Sequence, residues 1–479
     1  MSTTDYRCDV LVIGSGAGGA PTAALLAEAG LDVIVAEEGP WVDQGSVVPF
    51  SLEQMDRQYR SGGVTVALGL PSVAYTEGRC AGGGTEVNSG LYRRPPQEVV
   101  DRWRTQWRIH DLDPDDIDVL AREVESALSV QPLPGPAPAP SERLRLGAEK
   151  LGWTHDESPR WMTYPTGDPR HGQRQSMTRT YLPRATSAGA RLLTDCRVDR
   201  LQLATDRVEG AEVEFTDGRR AIISCRAVMV CAGAIQTPAL LQRSGIRRNI
   251  GRTLAVHPTV KLAARFVDEL NVPDDGPVHQ VKEFAPDLSF GGSASHPGLV
   301  ALALLDQWED FRDAVVAWRK IAVYYAAITS QGRGRVVSVP GLRDPIVTYH
   351  LTRRDRALLC SGLTRLALLM LEAGATDVFP SYRGAPRVRS RRDLATIEDT
   401  FSATRASVMT VHLCSTVPMG EDTARCGADS HGRVHGFTNL YVNDASLLPD
   451  APGVNPQGSV MAVALRNARL FLAEGWSRV

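Results

Sequence analysis

Val10-Leu11-Val12-Ile13-Gly14-Ser15-Gly16-Ala17-Gly18-Gly19 is the stretch whose reading decides the fold. Val10–Ile13 is a continuous apolar run, the pattern of a strand buried on both faces. Gly14, Gly16 and Gly19 follow in G-x-G-x-x-G order. The first glycine permits a tight turn, the second lets backbone approach a pyrophosphate, and the third lets helix and strand pack closely. Ala20–Ala29, rich in Ala and Leu, predicts a helix that Gly30 ends. Val33–Ala36 predicts a second buried strand. These segments form one βαβ unit, which implies a parallel sheet with a right-handed crossover. The helix N-terminus offers free N–H groups and a positive dipole end to phosphates. Glu37 closes the second strand, with Glu38 beside it. A carboxylate there accepts hydrogen bonds from both ribose hydroxyls and repels a 2′-phosphate.

Further along, Trp41 to Thr76 reads as irregular and Gly78–Gly90 as a second glycine-rich loop. A helix is expected over Asp115–Leu128. The proline-rich Pro132–Pro140 reads as an exposed extended segment. Arg191–Thr194, Arg197–Leu203, Ala211–Phe215 and Ala227–Cys231 predict strands, and Thr237–Gln242 starts a helix. From Lys261 to Pro380 the texture changes to short strands (Lys261–Phe266, Ile346–His350), a helical block at Trp308–Ala327 and a long helix at Arg354–Ala373 ending at Gly374. Glycine-rich strand–turn–helix texture returns at His412, and Val460–Leu465 reads as an apolar helix. No internal repeat is visible. The expected architecture is α/β with an α+β second domain. A Rossmann-like parallel-sheet domain, from residues 1–100, 185–260 and 405–479, is interleaved with a substrate domain built on an antiparallel sheet with helices. Residues 101–184 and 261–404 supply that second domain and connecting segments.

Bulk properties remove several function classes. The 479 residues suffice for two or three domains, and a net charge of −2 argues against nucleic acid or an acidic membrane surface as partner. Only four of the 53 basic residues are lysines, which reads as a compositional habit. Cys8, Cys80, Cys196, Cys225, Cys231, Cys360, Cys414 and Cys426 form no C-x-x-C pair and no metal-ligand spacing, so no metal site is expected. Buried free thiols in a reducing compartment are the simpler reading. With neither a signal-peptide core nor a membrane-length apolar run, a cytoplasmic location is the default.

Two more features carry chemistry. Gly82-Gly83-Gly84-Thr85-Glu86-Val87-Asn88 has three successive glycines that permit close contact with something large, flat or anionic. His412, in Val411-His412-Leu413-Cys414-Ser415-Thr416, and Asn455, in Gly453-Val454-Asn455-Pro456-Gln457-Gly458, each read alone as structural. Together with the Gly14 loop, Cys231–Pro238 with Ser244-Gly245-Ile246, Asp344–Val347 and Asn439–Ser446, they resemble the glucose–methanol–choline (GMC) oxidoreductases. The resemblance covers nearly the whole chain and is weakest from Trp103 to Met177 and from Asp268 to Ala327.

The resemblance implies FAD. Gly14, Gly16, Ala17, Gly19, Glu37 and Glu38 would hold its ADP half, and Gly83, Gly84 and Asn88 would lie along the pyrophosphate and flavin. Val198 would meet the adenine through its backbone, and Asp444 and Ala445 would touch the phosphate or ribityl region. Ala232, Pro456 and Gln457 would add contacts. His412 would be the base and Asn455 its partner beside the flavin's reactive face. The chemistry fits: a histidine near neutrality takes an alcohol's proton, an amide N–H stabilises the developing alkoxide, and hydride passes to flavin N5. Some relatives attach flavin to a histidine where this chain has Val87, so dissociable FAD is expected. Many pair two histidines where this chain has Asn455, and His257 reads as structural. The implied substrate is a small-molecule alcohol, such as a sugar or bulky natural-product hydroxyl, with oxygen or another electron acceptor. The alternatives are a non-redox lyase at the same flavin site and a non-catalytic flavin-binding protein. Trp153, Trp161, Tyr164, Trp308, Phe311, Trp318, Tyr324 and Tyr325 would be mostly core, with a few lining the substrate pocket.

Overall fold

The structure is a computed structural model that describes residues 5–272 and 276–476. Its first sheet grows from the opening run. Tyr6–Ile13 pairs in parallel with Val33–Ala36 on one side and Arg220–Val230 on the other. Val10, Leu11 and Val12 have no solvent exposure. Burying each contributes about 1.5–3 kcal/mol, which explains the unbroken apolar run. Arg191–Leu193 extends the sheet beyond Val33–Ala36, while Arg207–Phe215 and Cys196–Ala204 extend it antiparallel on the far side. Leu440–Val442 joins Val228–Val230 in parallel and brings the C-terminal third to the strand ends. Helices Gly19–Glu28 and Gln457–Leu470 cover this sheet.

The second sheet has nine strands and is almost wholly antiparallel. Its centre is Thr259–Arg265 paired with Ile321–Ile328, which pairs in turn with Leu288–Ser293. His279–Val281 and His155–Glu157 complete one side. The long helix Arg353–Glu372, started by a Thr352/Asp355 capping box, packs with Ala139–Leu151 on one face. Part of the opposite face is covered by the helices Pro297–Ala303 and Trp308–Val316. The mixed architecture therefore agrees with the expectation of a Rossmann-like sheet interleaved with an antiparallel one.

Several local expectations change. Trp308–Ala327 is not one helix: Trp308–Val316 is helical, and Ile321–Ile328 is a central strand. The β-branched and aromatic residues of IAVYYAAI fit a pleated surface buried on both faces, where period alone does not separate strand from helix. Trp41–Thr76 contains the helix Leu52–Gln58 and the strands Thr65–Ala67 and Val73–Tyr75, which join the second sheet. Val99 to Leu128, in contrast, packs into the core of the first sheet. Among the described residues, no helix is long and apolar enough to cross a membrane, and no His, Cys, Asp and Glu side chains gather as a metal site.

Glycine is obligatory where the strand ends meet. A Cβ on Gly19 would lie 1.9 Å from the Gly14 carbonyl oxygen, and one on Gly18 would lie 2.0 Å from that of Asn443. Gly19→Ala is therefore expected to lower stability by at least about 2–3 kcal/mol and to deplete bound nucleotide. Thermal unfolding and the cofactor content of the purified protein check this.

Candidate functional site

A cleft runs along the carboxyl ends of the parallel strands. It is lined by Gly14, Gly16 and Ala17, by Glu37 and Glu38, by Gly83 and Gly84, by Val198, and by Ala232, Asp444, Ala445, Pro456 and Gln457. The three strand-end loops meet backbone to backbone: a Cβ on Gly14 would lie 2.4 Å from the Cys231 carbonyl oxygen, and one on Gly83 would lie 3.2 Å from the Gly16 Cα. Gly16 differs. A Cβ there would meet no protein atom nearer than 4.0 Å and would project into the cleft, so what its absence leaves room for is a ligand. With the helix N-terminus behind it, the cradle fits a dinucleotide pyrophosphate.

The predicted cleft residues divide by what they touch. Glu37 accepts from the Ser15 N–H at 3.0 Å, the Ser15 hydroxyl at 2.7 Å and the Gly39 N–H at 2.8 Å. The Ser15 oxygen in turn accepts from Gly82 N–H, so one serine ties both glycine loops to the acidic residue. Glu38 reaches the cleft wall, but its carboxylate is engaged by Arg60 at 2.6 Å and Arg79 at 3.4 Å. Burial opposes its charge, yet the Arg60 guanidinium outweighs burial and holds its pKa down to about 2. Asp444 accepts from Gly233 N–H, the Thr237 hydroxyl, Ser446 N–H and the Ser446 hydroxyl. It fastens two cleft segments together. Asn88 donates to the Gln457 side chain at 2.5 Å and accepts from Gly90 N–H, which pins the second loop to the start of the last helix. Gly19 does its work by close packing behind the cleft.

His412 and Asn455 are brought together, with His412 Nε2 3.4 Å from Asn455 Nδ2. A short antiparallel pairing explains how. Val256 lies opposite Leu413, so the next residues, His257 and His412, face each other. Their Nδ1 atoms are 2.9 Å apart, with the rings nearly perpendicular. His257, read from sequence as structural, therefore belongs to the site. Burial, the His412 charge and Lys282 all push His257 well below the ordinary histidine range. Burial, then Lys282, pushes His412 down to about 4. Both rings are neutral at pH 7 and share one proton across the Nδ1 contact. Gly453 N–H donates to His257 Nε2 at 3.1 Å and favours that proton on His257. The Asn455 amide favours it on His412, which leaves the His412 Nε2 lone pair facing Asn455.

The orientation of Asn455 is itself fixed. Arg93 donates to Gln280 Oε1 at 3.2 and 3.0 Å, which forces the Gln280 amide nitrogen outward. That nitrogen donates at 3.3 Å to Asn455 Oδ1 and at 3.3 Å to Tyr325 Oη. Asn455 Nδ2–H is thereby aimed at the point that His412 Nε2 also faces. Arg93 and Gln280 carried no sequence signal as site residues, because their partners are distant in the chain, whereas Tyr325 was among the aromatics expected to be core or pocket lining.

Residues 55–259 and 329–464 match the two parts of the family described as GMC oxidoreductase. A GMC-type oxidoreductase of Sinorhizobium fredii is 39% identical over 98% of this chain and 96% of its own length. A long-chain-alcohol oxidase of Arabidopsis thaliana is 26% identical over 96% of this chain and 66% of its own. Among solved structures, pyridoxine 4-oxidase from Mesorbium loti superimposes with a TM-score of 0.75 at 20% identity, covering 98% of this chain and 99% of that one. Replacing Gln280 with Leu removes the donor that orients Asn455. Substrate-driven flavin reduction is expected to slow about tenfold or more with flavin content unchanged, as stopped-flow absorbance would measure.

Proposed function

The chain belongs to the GMC oxidoreductase family and binds FAD, and from this we propose that it oxidises an alcohol to the carbonyl at His412 and Asn455. The observation that carries the reading is the convergence of a neutral imidazole nitrogen and an amide N–H on one point, 3.4 Å apart, next to Val411, Leu413 and Pro456 of the dinucleotide cleft lining. Gly14, Gly16, Ala17 and Glu37 would hold the ADP half; Gly83, Gly84 and Asn88 would flank the pyrophosphate and flavin. Val198 and Ala232 would line the adenosine and phosphate path. Bound FAD supplies the two-electron acceptor for the hydride leaving the carbinol carbon.

The chain's own groups handle the proton. With the shared proton on His412 Nδ1, the Nε2 lone pair takes the hydroxyl proton. The resulting cation is spread over the His412–His257 contact. Asn455 Nδ2–H donates to the oxygen as it gains charge, and Gln280 keeps that amide from turning. The alcohol oxidases among the relatives support this reaction class. The final acceptor is oxygen or another oxidant. We also read the FAD as non-covalent, because Val87 offers no nucleophile where some relatives attach it.

His412→Ala is expected to slow anaerobic bleaching of the flavin by alcohols by about 10²–10⁴-fold, and unchanged bleaching would discard His412 as the base. Because His412 titrates near 4, the wild-type bleaching rate is expected to stay level above about pH 5 and to fall toward pH 4 as the lone pair is lost. The same shift makes stability fall as pH drops from about 6.5 to 4, since unfolded histidines bind protons there and the buried pair does not. Acid precipitation is expected to release all the flavin into the supernatant; a yellow pellet would show a covalent link.

A further inference from the structure

One sheet face runs against the usual pattern of antiparallel strands, apolar inward and polar outward. Val64, Val66, Leu68 and Leu70 alternate along one extended segment, and all four are exposed, Leu70 by 75% and Val64 by 83%. Ala67, between them, is buried. Strand pairings carry this face sideways. Val66 lies opposite Ala74, which is also exposed. On the other side, Leu68 lies opposite Thr348 in a parallel bridge. The hairpin of Arg333–Val337 with Ile346–His350 then sets Val337 against Ile346, Arg335 against Thr348 and Arg333 against His350. Val336, Val347 and Tyr349 fill the buried side of that hairpin, so the three pairs share the outer face with Leu68.

Charge on this face has one sign. Residues 64–70, 73–75, 333–337 and 346–350 include no Asp or Glu. Arg333 and Arg335 are exposed, and Arg333 donates to the Ser330 and Gly332 carbonyls. Arg356, exposed in the first turn of the long helix, donates to the Leu70 carbonyl and so stands at the end of the apolar row. Among the described residues, no carboxylate lies within ion-pair distance of Arg333, Arg335 or Arg356. Asp344, in the turn of the hairpin, is held by Arg60 at 3.0 Å. The net charge of −2 is an average over the chain, and this face departs from it.

We propose that this face docks on an anionic lipid surface, with the Val64–Leu70 row entering the headgroup layer and the arginines pairing with lipid phosphates and carboxylates. A contiguous apolar patch on a protein surface marks contact with a partner or a membrane. Aliphatic side chains flanked by cations, without acids, match the two attractions that hold a protein at such a surface: burial of apolar area and attraction to anionic headgroups. A second copy meeting this face about a two-fold axis would set arginine near arginine with no carboxylate between them. Nucleic acid would supply phosphates, but the face offers its bases no exposed Phe, Tyr or Trp to stack on. The attachment is peripheral and independent of the reaction at His412.

The test is flotation of holoenzyme with vesicles of phosphatidylcholine and phosphatidylserine in equal parts, against vesicles of phosphatidylcholine alone. Binding to the mixed vesicles is expected to be about tenfold tighter or more, and to weaken as salt is raised. Arg335→Gln and Arg356→Gln are each expected to weaken it about fivefold, while Arg335→Lys retains it. Leu68→Ser combined with Leu70→Ser is expected to weaken it about tenfold or more. Both leucines already stand in solvent, so the flavin spectrum, the thermal midpoint and bleaching by alcohols are expected to stay as in the wild type. If the leucine variant fails to fold, the arginine variants decide alone. Equal binding to both kinds of vesicle, no binding to either, or binding to the mixed vesicles that survives these substitutions overturns the proposal. A dimer in sedimentation that Leu68→Ser dissociates assigns the face to a second copy and likewise overturns it. Binding to duplex DNA without binding to vesicles does the same.

Discussion

The site depends on backbone meeting backbone at the ends of three parallel strands. Gly14 lies against the Cys231 carbonyl, Gly18 against that of Asn443, and Gly83 against the Gly16 Cα. No side chain fits between these loops, so each is held by the others. The same contact gathers residues from four distant parts of the chain around one cleft. Ser15 and Glu37 lock the arrangement with hydrogen bonds to both glycine loops, and Asp444 locks it from the C-terminal side. These carboxylates are buried, which pushes both pKa values up, while the hydrogen bonds they accept favour the charged form. The cleft is thus rigid where a pyrophosphate needs fixed N–H groups.

The pair proposed to react is set by a different constraint, the register of small antiparallel pairings. A two-residue ladder, Ala255–Val256 with Leu413–Cys414, places His257 opposite His412. The broad sheet then brings Gln280 under Asn455. A slip of one residue in either ladder would turn the functional side chain to the opposite face. The geometry of the proposed pair is therefore a property of strand pairing, and Arg93 extends it by fixing which end of the Gln280 amide points outward.

The opening βαβ unit was legible because its signals are local: an unbroken apolar run, glycines at fixed spacing and a terminal acid. The Gly82 loop and the His412 and Asn455 segments were legible only together, through their order along the chain. Non-local features escaped. His257 has no local mark that separates it from a structural histidine, and its role comes from a pairing 155 residues away. Ile321–Ile328 read as helix because a strand buried on both faces loses its alternation.

In the proposed reaction, the charge of Lys282 also bears on the proton chemistry at His412. A base in a cleft that binds a negatively charged dinucleotide would ordinarily be pulled toward protonation by the nearby phosphates. Burial and the Lys282 charge act against that pull and keep His412 unprotonated at pH 7. The same cation would favour the developing negative charge on the substrate oxygen. A single buried ammonium can therefore keep the base free before proton transfer and lower the cost of the oxyanion after it. Placing the charge on Lys282, beyond hydrogen-bond reach of either histidine, gains both effects without occupying the nitrogen that must receive the proton.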